Sequence, residues 1–226
     1  MEAEIIQTVV SLAGVAAAIA ALMMSRTRRF RRKLARHRLW RLRELPEGRY
    51  ARIVGRAHPV GEPLIAPMTG RRCVYYEVKV EGKGVAPSPG KMSVIAAETR
   101  AIPFLLNDGT GRAHVVPDGA DVLVDFDARS DFSPQPLVVT PDHMAFYARH
   151  GKTVLGGIYG TELRYREAVI EVEDMITILG AGVREPDPDP APGSAGPRSR
   201  MRFASTPPHP LLITDDWSPD EKPHGR

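Results

Sequence analysis

The sequence predicts a mainly β protein: a small antiparallel barrel or sandwich with one short helix, preceded by a single transmembrane helix that continues into a basic juxtamembrane helix. Three observations carry this. From Arg49 to Val183 the chain breaks into short segments rich in Val, Ile and Tyr, with Gly or Pro at almost every junction. Ahead of them, Ile5 to Met24 is free of charge, with only Gln7, Thr8 and Ser11 as polar interruptions. Between these two regions stands a block of arginines.

Residues 1–25 read as a membrane anchor. The apolar run of twenty residues, at 1.5 Å per residue, reaches roughly the 30 Å of a bilayer core. A cleaved signal peptide would carry its positive charge before a shorter apolar stretch, and a buried core helix would be shorter and keep a polar face. The positive-inside rule places the N-terminus outside and everything after Arg26 in the cytoplasm. Ala13, Ala17 and Ala21, with Gly14 and Ala18, give one smooth helix face suited to self-association. An Ala-rich span without a partner is the preferred reading of that face.

Residues 26–48 form the basic segment. Phe30, Leu34, Trp40, Leu42 and Leu45 interrupt the arginines at roughly helical spacing, which predicts a helix over Thr27 to Leu45, ended by Pro46 and Gly48. Arg26, Arg28, Arg29, Arg31, Arg32, Lys33, Arg36 and Trp40 are its candidate membrane-binding residues. Each basic group near anionic headgroups is worth about 1 kcal/mol. The net charge of +4 belongs to this end of the chain: residues 1–48 hold ten Lys/Arg against four Asp/Glu, whereas residues 49–183 hold fifteen against sixteen. The expected partners are therefore a lipid bilayer with anionic headgroups and an unidentified protein, and no nucleic acid.

Residues 49–183 make one domain of comfortable size. Strands are expected at Arg49 to Ala57, Cys73 to Gly82, Lys91 to Glu98, Pro103 to Asn107, Arg112 to Val116 and Val122 to Phe126, and in two runs between Glu162 and Val183. Asp142 to His150 reads as the helix. Residues 184–226 are Pro-rich and polar and are expected to be a largely disordered tail. Within it, Pro210 to Thr214 is an apolar island able to dock as an edge strand or to serve as a peptide for a partner.

The chemistry is thin. Cys73 stands alone, which rules out a disulfide framework and a CxxC pair, and its apolar-alternating surroundings suit a buried strand cysteine. His58, His114, His143 and His150 show no ligand spacing, so no metal and no cofactor is expected. In Asn107–Gly111 (NDGTG), Gly109 follows Asp108 directly, which is the wrong order for an aspartic-protease loop and right for a hairpin turn. Gly156, Gly157 and Gly160 lack the Lys-Ser/Thr of a phosphate loop. Nothing assembles a nucleophile, a base and an orienting group, so no catalytic residue is assigned and no enzyme is expected.

Three ordered pieces, GRAHPVGEPLIAPMTGRRCVYYEVKVE from Gly55, IPFLLNDGTGRAHVVPDGA from Ile102 and ELRYREAVIEVEDMITILGAG from Glu162, resemble the GIDE domain. That domain, also called BAM (beside-a-membrane), occurs in membrane-bound E3 ubiquitin ligases of mitochondria and plastids and in many prokaryotic membrane proteins. The resemblance singles out Gly55, Pro67, Gly70, Cys73, Tyr75, Tyr76, Asp108, Gly111, Pro117, Gly119 and Gly180, whose expected duty is structural. It implies membrane association and a recognition or scaffolding role; the alternative is an E3 ubiquitin ligase-like component or an uncharted membrane-associated enzyme. The ligases add a second transmembrane helix and a zinc-binding RING, and one cysteine cannot build a RING.

Overall fold

The computed structural model of the chain describes residues 27–83, 92–131, 140–152, 162–188 and 199–216. In chain order the described elements are helix α1 (residues 27–35), a 3-10 turn (Leu42–Glu44), β1 (Tyr50–Pro59), β2 (Leu64–Ile65), β3 (Arg72–Lys83), β4 (Met92–Ala101), β5 (Phe104–Asn107), β6 (Arg112–Val116), β7 (Asp121–Leu123), β8 (Ala128–Arg129), α2 (Pro141–Arg149), β9 (Glu162–Glu171), β10 (Met175–Pro186), β11 (Ser199–Ala204) and β12 (Leu212–Thr214). The chain divides into two units, residues 1–38 and 39–226.

A bend in β1 organises the second unit. From Tyr50 to Arg56 the strand pairs antiparallel with β10, and from Arg56 to Pro59 it pairs with β5. The strand crosses from one partner to the other at Gly55, where a Cβ atom would lie 2.6 Å from the carbonyl oxygen of Asn107, so only glycine allows the approach. β5 turns into β6, β6 runs parallel to β11, and β11 pairs with β10, which closes a five-stranded barrel. Counting barrel strands alone, the order is 1-2-3-5-4-1 with the third and fifth parallel, the connectivity of an OB-fold barrel. The inward-facing positions fill it with Ile53, Leu106, Phe104, Val115, Ile176, Ile178 and Phe203. Gly180 and Gly182 leave the space that Phe203 occupies; a Cβ would lie 3.2 Å and 3.0 Å from its ring atoms.

The second sheet is made from two insertions. β2, β3 and β4 lie between the first and second barrel strands, and β8, α2 and β9 between the third and fourth. Together they form the order β2-β3-β9-β8, with β4 beside β3. One face, at Val74, Tyr75 and Ile170, joins the barrel core. The other face buries Cys73, Tyr76, Val78 and Val80 with Phe146 and Tyr147 of α2, a second apolar core in which each large side chain contributes roughly 1.5–3 kcal/mol. α2 starts as a reciprocal cap, the Thr140 hydroxyl accepting the His143 amide while the His143 ring accepts the amide of Thr140.

Several expectations change here. The predicted transmembrane run, residues 5–24, lies outside the described residues, as do Arg26 and the Gly156–Gly160 segment; among the described residues no helix is long and apolar enough to cross a membrane. The helix expected over Thr27 to Leu45 stops at residue 35. Leu39 bridges to Arg52, the Trp40 amide donates to the Arg52 carbonyl at 2.9 Å, and Leu42 and Leu45 enter the barrel core at 4 % and 1 % exposure. Burying those two leucines in the barrel outweighs extending a surface helix. The described parts of residues 184–226 are ordered: β10 runs on to Pro186, β11 is a barrel strand, and the apolar island docks as β12 between β10 and β7. The sheet is also not wholly antiparallel, since β6–β11 and β7–β12 run parallel.

Candidate functional site

The ionisable side chains of the β unit gather in separate knots, and those at Asp108 and Glu167 hold backbone. In the β5–β6 turn, Asp108 accepts from the Thr110 and Gly111 amides at 2.8 and 2.9 Å, and its other oxygen accepts the Leu42 amide at 2.6 Å. Gly109 supplies the left-handed conformation there, with φ of 81°. Gly111 lies against the same leucine, its Cβ position 3.4 Å from that of Leu42. The hairpin expected at Asp-Gly is present, and its aspartate is an anchor for the segment before β1.

A second knot lies under the turn between β2 and β3. Glu167 has no exposed surface; it accepts the amides of Met68 at 2.8 Å and Thr69 at 3.1 Å, together with the Thr69 hydroxyl. His143 donates from Nε2 to the Met68 carbonyl at 3.0 Å, the tautomer that leaves Nδ1 to accept from Thr140. Arg71 extends the knot, paired with Asp127 and Glu171, and its bond to Asp127 holds that carboxyl below the usual range. Cys73 sits in this core with its thiol toward the Leu64 carbonyl. Burial, then the Glu167 charge, push its pKa up to about 12, so it stays a thiol.

The third knot is on β4. Glu98 accepts from the Tyr76 hydroxyl, from Arg149 at 3.1 and 3.2 Å, and from His150 at 3.1 Å. Burial acts to raise the Glu98 pKa, but the Arg149 and Tyr76 bonds prevail and hold it below the usual carboxylate range. Burial and the adjacent carboxylate push Tyr76 up to about 12. β4 itself pairs with β3 alone among the described residues, which makes it an edge strand ten residues long.

On the outer wall of β5 and β6, where OB-fold barrels take polymeric ligands, the structure places Leu105, Asn107, Arg112, His114 and Val116. Its charges are internally matched: His114 and Arg200 meet Glu185 at 2.9 and 2.7 Å, and Arg112 meets Asp187 at 3.6 Å. None of these five side chains is Phe, Tyr or Trp, and the one aromatic ring among them, His114, is tied to Glu185. His114, Asp108, Cys73 and His143, which a catalytic cleft would have to gather, each bond to a different partner. Among the described residues, no group of three or more His, Cys, Asp or Glu could hold a metal ion.

The Glu98 knot, Tyr76 apart, lies within the stretch that the family comparison recognises. Residues 90–191 match the GIDE family. The GIDE match, described as an E3 ubiquitin ligase, runs from β4 to the end of β10 and contains two of the three sequence pieces that resemble the family. No curated protein and no solved structure matches the chain.

The residues singled out by the GIDE resemblance are placed as parts of the fold. Gly55 is at the β1 bend, Gly180 makes room inside the barrel, and Asp108 and Gly111 form the β5–β6 turn. Pro67 and Pro117 are buried after or between strands, Gly70 and Gly119 occupy turns, Tyr75 joins the barrel core, and Cys73 and Tyr76 join the second core. Of the residues expected at a membrane, Arg28, Arg29, Arg31, Arg32 and Arg36 are exposed and Lys33 is half-buried, all on or just after α1. Trp40 belongs to the other unit, half-buried against the barrel core with the Arg49 guanidinium 5.6 Å from its ring. Sequence reasoning missed Glu167, Glu98 and Arg71. Their only signal was an acidic or basic residue inside an apolar-alternating strand or turn, a position that demands a partner when buried.

Proposed function

We propose that this chain is a single-pass membrane protein that presents its β unit for partner recognition or scaffolding, without a reaction of its own. Residues 5–24 span the bilayer with the N-terminus outside, the arginines after them meet anionic headgroups, and the β unit stands at the cytoplasmic face. The observation that favours recognition over catalysis is the use made of the polar groups. Asp108, Glu167 and His143 are bonded to backbone, Cys73 is a buried thiol, and β4 has no second strand beside it among the described residues.

The test is purification of the tagged full-length chain from detergent-solubilised membranes, against a control lacking residues 1–26, with co-purifying proteins identified. A stoichiometric partner that depends on residues 1–26 supports a membrane scaffold. A full-length chain that purifies alone counts against it. Equal recovery of both forms from the soluble fraction removes the anchor from the reading.

A second reading follows from the family description as an E3 ubiquitin ligase. In it the chain is a ligase-like component whose RING is supplied by a separate protein. Ubiquitin transfer that appears only when this chain is added to such a RING partner with its conjugating enzyme would favour that reading.

A further inference from the structure

Among the described residues β4 is a sheet edge guarded only by one bulge and the charges of Glu98 and Arg100. Over ten residues it holds no proline and no lysine, the residues that ordinarily blunt an edge. Its one irregularity, a register shift opposite Val80 and Glu81, lies at the N-terminal end and leaves Ala96 to Ala101 in unbroken pairing with β3. Such a strand turns alternate N–H and C=O groups outward, with no ladder partner for them among the described residues.

The side chains along that regular stretch say what would fit beside it. Ala97, Thr99 and Ala101 are exposed and short, which leaves room for larger side chains on a neighbouring strand. On the opposite face stand Glu98 and Arg100, two residues apart. The Glu98 carboxylate is already filled by Tyr76, Arg149 and His150, whereas Arg100 is exposed and, beyond its bond to the Tyr76 hydroxyl, keeps further guanidinium donors. The charge offered to an incoming strand is therefore positive. A second copy of this chain paired through its own β4 would bring only another filled carboxylate to Arg100.

We propose that the edge of β4 takes up an extended segment of a partner protein as an added strand, with an acidic side chain of that segment placed opposite Arg100. Main-chain bonds give the affinity and the Arg100 contact fixes the register. This rests on the reading of the β unit as a recognition module.

The experiment uses the full-length chain in detergent and three fluorescein-labelled ten-residue peptides of alternating Thr and Val. One has a central Asp, one a central Lys, and one the Asp together with N-methylated alternate residues. Anisotropy should show saturable binding of the Asp peptide, at least about tenfold weaker binding of the other two, and a reversed Asp/Lys preference in Arg100→Glu. Ala97→Lys, at an exposed position, should lose the Asp peptide while melting at the parent temperature. Equal or absent binding of all three peptides overturns the proposal. So does a Thr99→Cys chain that crosslinks to itself through β4. If the membrane partner above is found and is retained by Arg100→Glu and Ala97→Lys, the edge proposal falls and the recognition reading stands. If the Asp peptide binds but no partner co-purifies, the edge proposal stands and the membrane-scaffold part of the reading falls.

Discussion

The carboxylate of Asp108 accepts the backbone amide of Leu42 at 2.6 Å across 66 positions of sequence. One side chain thus closes its own hairpin and fastens the segment that plugs the barrel. Asp108→Ala removes the carboxylate that accepts three backbone amides and should destabilise the β unit by about 2–3 kcal/mol, the scale of charged hydrogen bonds to backbone. Asp108→Asn keeps one oxygen and should lose less. Chemical denaturation of the two variants beside the parent checks the order.

The same contact predicts where the chain can be shortened. Loss of residues 1–26 leaves every described contact of the β unit in place. Loss of residues 1–47 takes away Leu42 and Leu45, each worth roughly 1.5–3 kcal/mol when buried, and exposes the acceptor of Asp108. Limited proteolysis should find the first truncation resistant and the second degraded.

Gly55→Ala should be among the most damaging single-methyl additions in the molecule. The new atom would meet the Asn107 carbonyl oxygen at 2.6 Å, and backbone cannot swing aside as a side chain can. A loss of about 1–3 kcal/mol is expected, read as a lower melting temperature. Gly48→Ala, with open space around its Cβ position, is a control for the loss of glycine at a turn.

Cys73 should be inert in the folded chain. Its burial and a pKa raised to about 12 leave almost no thiolate at pH 8. Iodoacetamide should label it at a rate set by unfolding, and denaturant should make labelling immediate. Fast labelling in native buffer would contradict the placement of this strand.

Acid and base should each find a limit. Glu98 and Glu185 lie below the usual carboxylate range in the folded chain. Burial works against both, but Arg149 with Tyr76, and Arg200 with His114, outweigh it. A depressed carboxylate contributes stability that is complete above its unfolded pKa and is lost as pH falls through the folded value, so melting temperature should drop below about pH 4.5. Tyr76 has the opposite sign. Raised to about 12, it contributes fully below about pH 10 and its contribution disappears as pH climbs toward 12. Arg149→Gln should flatten the acid limb.

Most strands were legible because each of them alternates and is closed by Gly or Pro. β1, β3, β5, β6 and β10 fall where Val, Ile, Phe and Tyr recur at period two. The barrel's last strand was not legible. Ser-Arg-Met-Arg-Phe-Ala, residues 199–204, is half arginine and polar, and it follows a Pro-rich stretch that carries no core signal. Only its parallel partner β6, more than eighty residues upstream, makes Met201 and Phe203 core residues. The stretch from Leu39 to Leu45 misled for a similar reason: Leu42 and Leu45 satisfy a helical period, yet the surface they cover is supplied by the barrel. The knots at Glu167 and Glu98 join residues dozens of positions apart, beyond the reach of any local pattern.

Because β11 lies between β6 and β10, the barrel cannot close until residue 204 has been synthesised. Ribosomes add about 5–20 residues each second. The nascent β1, β5 and β6 therefore wait seconds with an unclosed seam, which exposes hydrogen-bonding edges to neighbouring chains. A message cut short before codon 199 yields a product with no way to seal that seam, and quality-control proteases should remove it even though it keeps all of residues 90–191, the stretch that matches the GIDE family.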